Sequence, residues 1–150
     1  MSDNVISTLN DLLETSKNGE KGFLTAAQDT QNAELQTIFR QRAQDCAKAA
    51  TDLRQMVIRL GGNPDKGGTV AGAVHRGWVN LKATITGRSD LAILEECERG
   101  EDVAKAHYRK ALEEGLPTDV QPIIERQYEG AKRNHDQIRD LRDQYRAKTA

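Results

Sequence analysis

Leu9, Leu13, Ser16, Glu20, Phe23 and Ala27 follow one another in alternating steps of four and three. That spacing keeps a residue on one side of an α-helix and predicts a first helix over about 3–29. Leu35, Phe39, Arg42, Cys46, Ala49, Leu53, Met56 and Leu60 form a second stripe, over about 33–60. It stops at Gly61 and Gly62, with Pro64 beyond, a strong helix-ending signal. Leu91, Leu94, Glu98, Glu101, Lys105, Tyr108 and Leu112 predict a third helix over about 89–114, opened by Ser89 and closed by Gly115. Val120, Ile124, Tyr128, Ala131, His135, Ile138 and Tyr145 predict a fourth over about 118–146. No stretch alternates with the period of a strand.

The turn between the first two helices is short, near Asp29–Asn32, and so is the turn between the last two. The connection from Gly61 to Arg88 is long. It opens with GGNPDKGG and then carries VAGAVHRGWVNLKAT, which reads as a crossover helix over about 70–84. Two tight hairpins joined by a long crossover is the ferritin-like connectivity among four-helix bundles. The fold class expected is therefore an all-α, ferritin-like four-helix bundle forming a single domain over 1–150.

Composition adds limits. The chain has 150 residues, 30% of them charged and 4% aromatic, with three prolines, a balance that suits long surface helices. Its net charge of −1 offers no field for nucleic acid or an anionic membrane. No apolar run approaches the ~20 residues that span a bilayer. The opening MSDNVISTLNDLLE lacks the basic-then-apolar pattern of a signal peptide, so a cytoplasmic protein is expected. Cys46 and Cys97 are far apart and read as structural thiols in preference to a redox pair.

The chemistry sits where the stripes turn polar. Glu20 precedes the first turn by about the distance at which Arg42 follows it, so the two should face each other across the hairpin. By the same counting Glu101 and His135 approach that level, with Glu98 one turn away. A di-iron or di-manganese bundle needs a Glu from each of two helices and a Glu-x-x-His pair from each of the others. Glu20, Glu98, Glu101 and His135 could supply part of such a set. The required pairs are broken, however: the second helix has Arg42 and Asp45, the fourth Ala131 and Asn134. A guanidinium at Arg42 would repel a metal and could neutralise the carboxylates. Three readings follow: side chains that snorkel to water, a structural ion-pair cluster replacing a metal site, and a working iron or manganese centre. The cluster is the leading reading, with no cofactor and no catalytic residue.

In the crossover, His75, Trp78 and Lys82 share a helix face, with Arg76 beside it. Trp78 is the single tryptophan, and anchoring the crossover on the bundle is its expected role; a docking surface at Arg76 and Lys82 is the alternative. His107 lies off the third stripe and is expected to face solvent. Leu12, Leu24, Ile38, Val57 and Ile123 flank the stripes and either widen the core or form an outer strip for a homodimer.

These residues also carry a resemblance. LNDLLETSKNGEKGF, LGGNPDKGGTVAGAVHRGWVNLKATITG, ECERGEDVAKAHYRKAL and ERQYEGAKRNHDQIRDLRDQ resemble the bacterial domain-of-unknown-function family 2383, over about residues 4–145. GTVAGAVHRGWVNLK is its most specific part. The resemblance implies four-helix-bundle proteins of the ferritin-like superfamily, and it implies no reaction and no partner.

Overall fold

The computed structural model describes residues 2–65 and 89–149. It is a four-helix bundle: α1 Ser2–Asp29, α2 Ala33–Arg59, α3 Asp90–Glu113 and α4 Gln121–Thr149. There is no strand among the described residues. The expected crossover helix, with His75, Arg76, Trp78 and Lys82, lies outside them.

Local chemistry sets the ends. Asn32 caps α2, its side chain accepting a hydrogen bond from the Leu35 amide at 3.0 Å. Ser89 caps α3 in the same way, accepting from the Ala92 amide at 3.1 Å. Gly61 and Gly115 end α2 and α3 with φ of 85° and 82°, where a side chain would be strained. The fourth helix starts later than the spacing suggests. Residues 118–120 form a turn in which the Pro117 carbonyl accepts from Val120 and Gln121, and Pro122 falls in the first helical turn, where its missing amide costs nothing.

α1 packs on α2 and on α3, and α3 packs on α4, while α2 and α4 stand apart. Thr30 donates to Asp90 at 2.6 Å, tying the first hairpin's loop to the start of α3. Two glycines allow close approach. A β-carbon on Gly62 would lie 2.6 Å from Ile6, and one on Gly19 would lie 2.9 Å from the Cys46 sulfur.

The apolar core falls into two clusters. One is built on Phe23, Leu35, Phe39, Ile93, Leu94 and Ile138. The other is built on Leu9, Leu13, Leu53, Met56, Tyr108 and Ile124. Along each of the first three helices the residues between these clusters are small or polar: Ser16 and Gly19, Arg42 and Cys46, Gly100 and Glu101. The bundle thus has a polar layer across its middle. Leu12 and Val57 are fully buried, and Ile38 and Ile123 pack against the clusters, so these four widen the core. Leu24 is 43% exposed and is the member of that group left on the outside. No described helix is long and apolar enough to cross a membrane.

Candidate functional site

α3 carries the main departure from the sequence pattern. Its buried residues are Ile93, Leu94, Glu96, Cys97, Gly100, Glu101, Tyr108 and Ala111. The inward face is therefore turned toward Cys97 and Gly100 and away from Leu91, Glu98 and Lys105. α1 packs on α3, and small side chains suit a close contact between helices. Glu101 stays central under this rotation, and Glu98 moves to the flank that faces α4.

Arg42 and Glu101 meet in the polar layer. Both are only 4% exposed. The guanidinium grips one carboxylate oxygen of Glu101 with two N–H groups, at 2.9 Å and 3.3 Å. A third N–H reaches Asp45, one turn along α2, at 2.7 Å. The plane of Arg42 also lies 5.4 Å from the Phe23 ring centroid, a favourable place for a cation. Burial pushes the Glu101 carboxyl above its ordinary range, and Arg42 opposes that shift by its charge and its hydrogen bonds.

His135 belongs to a second group, between α3 and α4. It is 7% exposed, and its Nε2 lies 2.7 Å from Asp102, with Glu98 at 3.9 Å. On its other side, Nδ1 lies 3.2 Å from Asp136. Glu98 pairs instead with Arg142, from the C-terminal part of α4. His135 and Glu101 do not bond to each other.

Glu20 joins neither group. It is half-buried, and Arg42 turns from it toward α3. The expected meeting of Glu20, Arg42, Glu98, Glu101 and His135 at one level is corrected to two ion-paired groups and a separate Glu20. Asp45, Asp102 and Arg142 are the partners the stripes did not single out. Asp45 could have been found from its position one helical turn from Arg42. Asp102 and Arg142 depend on the rotation of α3, which the apolar residues alone do not reveal.

Iron or manganese in a bundle requires carboxylates free to turn several oxygens on one point. Here Glu101 holds a guanidinium, Glu98 holds another, and His135 holds Asp102, so this donor set does not fit a di-metal centre. Among the described residues no group of three or more His, Cys, Asp or Glu side chains is placed to hold a metal ion.

The two thiols lie near the same layer. Burial raises Cys46 to about 12, and it raises Cys97 still more securely into the protonated form. Cys46 is partly exposed, with its sulfur against Gly19 of α1. His107, expected at the surface, is half-buried instead and lies 2.9 Å from the Thr15 hydroxyl, a contact between α3 and α1. Tyr108 donates to Gln127 at 2.9 Å, binding α3 to α4. Between α2 and α4 the bundle opens into a cleft of about 350 Å³, which Arg42 and Glu101 border from below.

A family described as "Domain of unknown function (DUF2383)" matches residues 4–114. The chain belongs to this family. The match takes in α1, α2 and α3 and ends at the turn before α4, short of the extent to 145 expected from the sequence. No curated protein matches the chain.

Proposed function

We propose that this family member is a non-catalytic helical-bundle protein of ferritin-like connectivity, whose central layer is held by ion pairs where a metal-binding relative would carry carboxylate ligands. The carrying observation is Arg42. A buried guanidinium bonded to Glu101 fills the middle of the bundle with positive charge and takes up the carboxylate best placed for a metal. Such a protein works by what it assembles with, and its place is the cytoplasm. Leu24 and Ile58, 43% and 55% exposed, are the large apolar side chains on the surface of the described helices and are where a homodimer contact would start.

Metal content tests this reading directly. Protein purified without chelator and incubated anaerobically with ferrous iron should carry no stoichiometric metal by plasma mass spectrometry. Iron or manganese at about two per chain, the content of a carboxylate bundle, and lost on Glu101→Ala, would overturn it in favour of a carboxylate oxidoreductase.

A further inference from the structure

We propose that the cleft between α2 and α4 is a binding site for a small amphipathic organic anion, an apolar body carrying a single carboxylate.

The cleft exists because α2 and α4 stand apart while the other neighbouring helices pack. Its volume of about 350 Å³ lies within the range of small-molecule sites, about 300–1,000 Å³. Phe23, Ala49, Ala104 and Ile123 supply apolar wall against which a hydrocarbon body would pack, while the mutually satisfied Arg42–Glu101 pair borders the cleft beside them.

The rim is different in character. Lys48 on α2 and Arg126 and Arg133 on α4 are exposed and border the cleft. None of the three forms an ion pair within the described structure, whereas Arg42, deeper in, is fully engaged by Glu101 and Asp45. Asp52 is the unpaired acid that faces them. The uncommitted rim charges therefore sum to positive, on a chain whose net charge is −1. An anion entering head-outward would meet cations at the mouth and apolar side chains below. A neutral ligand would leave the cations without use, and a small inorganic anion would leave the wall uncovered. The site is separate from the ion-pair reading: Lys48, Arg126 and Arg133 take no part in the Arg42–Glu101 group, so either idea can fail alone.

The test uses the full chain and decanoate below its micellar concentration, followed by isothermal titration calorimetry. Decanoate should bind one to one, with decanol and acetate at least about tenfold weaker, because each lacks one half of the recognition. The double variant Arg126→Ala/Arg133→Ala should lose about tenfold in decanoate affinity, with helical content unchanged by circular dichroism. Ala104→Trp, which fills the inner wall, should abolish binding. No binding of decanoate by the wild-type chain would overturn the proposal. So would equal affinity for decanol, or decanoate binding that the rim variant leaves unchanged. If Ala104→Trp fails to fold, the rim variant and the decanol comparison still decide.

Discussion

Replacing Arg42 by methionine keeps the length of the side chain and removes its charge, leaving Glu101 buried without its cation. Glu101 is the partner that matters. Asp45 has a side chain 48% exposed, so its leg of the pair contributes only about 0–1 kcal/mol. Breaking a fully buried pair from one side costs about 3–5 kcal/mol, a large part of the about 5–15 kcal/mol that holds a domain together. The loss must also depend on pH. Glu101 is raised above its ordinary 4.5 already in the wild-type fold, so the native state holds its proton more tightly than the unfolded chain does. The stability tied to this group is complete below 4.5 and falls as pH rises through the native value. Without Arg42 to lower it, that native value climbs further and the loss extends toward neutral pH. Urea unfolding followed by far-ultraviolet circular dichroism measures the effect. Arg42→Met should be destabilised by about 3–5 kcal/mol at neutral pH and by much less near pH 4.5. Arg42→Met/Glu101→Leu should recover to within about 1 kcal/mol of wild type or exceed it. A single variant that loses under about 1 kcal/mol at both pH values would refute the reasoning, since Glu101 would then have a partner or water that this geometry denies it.

Other consequences can be read in the same way. Gly19→Ala should be destabilising by about 1–3 kcal/mol in the wild-type background, because its β-carbon would press on the Cys46 sulfur, and stabilising by about 1 kcal/mol when combined with Cys46→Ala. Neither cysteine should react with a disulfide reagent at neutral pH in the folded protein, and both should react in urea, since burial keeps both thiols protonated. Removing either cap, by Asn32→Ala or Ser89→Ala, should cost about 1 kcal/mol in the same unfolding assay. Burial lowers His107 below its ordinary 6.5, so the stability it brings is present above 6.5 and is lost as pH falls through its native value; His107→Gln should flatten that part of the pH profile.

The helices were legible because leucines, isoleucines and phenylalanines at helical spacing mark a buried stripe whatever it packs on. The termini were legible because Asn32, Gly61, Ser89 and Gly115 each have a specific backbone task. The orientation of α3 was harder to read. Its inward ladder runs through Cys97, Gly100, Ala104, Tyr108 and Ala111, at steps of three and four, but small residues carry little weight in a hydrophobic pattern. The charged residues Glu98 and Lys105 share the pattern drawn from Leu91 and Leu94, which sets them deeper than the structure does. The rotation of α3 is what takes Glu98 out of the central group, and His135 goes with it as a partner of Asp102. Equal distances from a turn likewise suggested that Glu20 would meet Arg42. Counting along a hairpin gives height but no direction, and a long, flexible guanidinium can choose the neighbour across the bundle over the one beside it.

The ion pair between α2 and α3 joins one hairpin to the other, and among the described residues it is the pair with both side chains most deeply buried. The apolar clusters above and below it are rich in leucines, alanines and isoleucines, whose non-directional contacts oppose a slide of one hairpin past its neighbour less sharply than a buried charge does. Arg42 would not tolerate it. A slip in one direction sets the guanidinium beside Cys97 and in the other beside Ala104, and Glu101 is stranded either way. The costly pair thus acts as a vernier that admits a single alignment of the two halves. The consequence is measurable in the charge-free Arg42→Met/Glu101→Leu chain: it should gain in unfolding free energy and lose in uniqueness, with doubled or broadened methyl resonances where the wild-type chain shows single sharp ones.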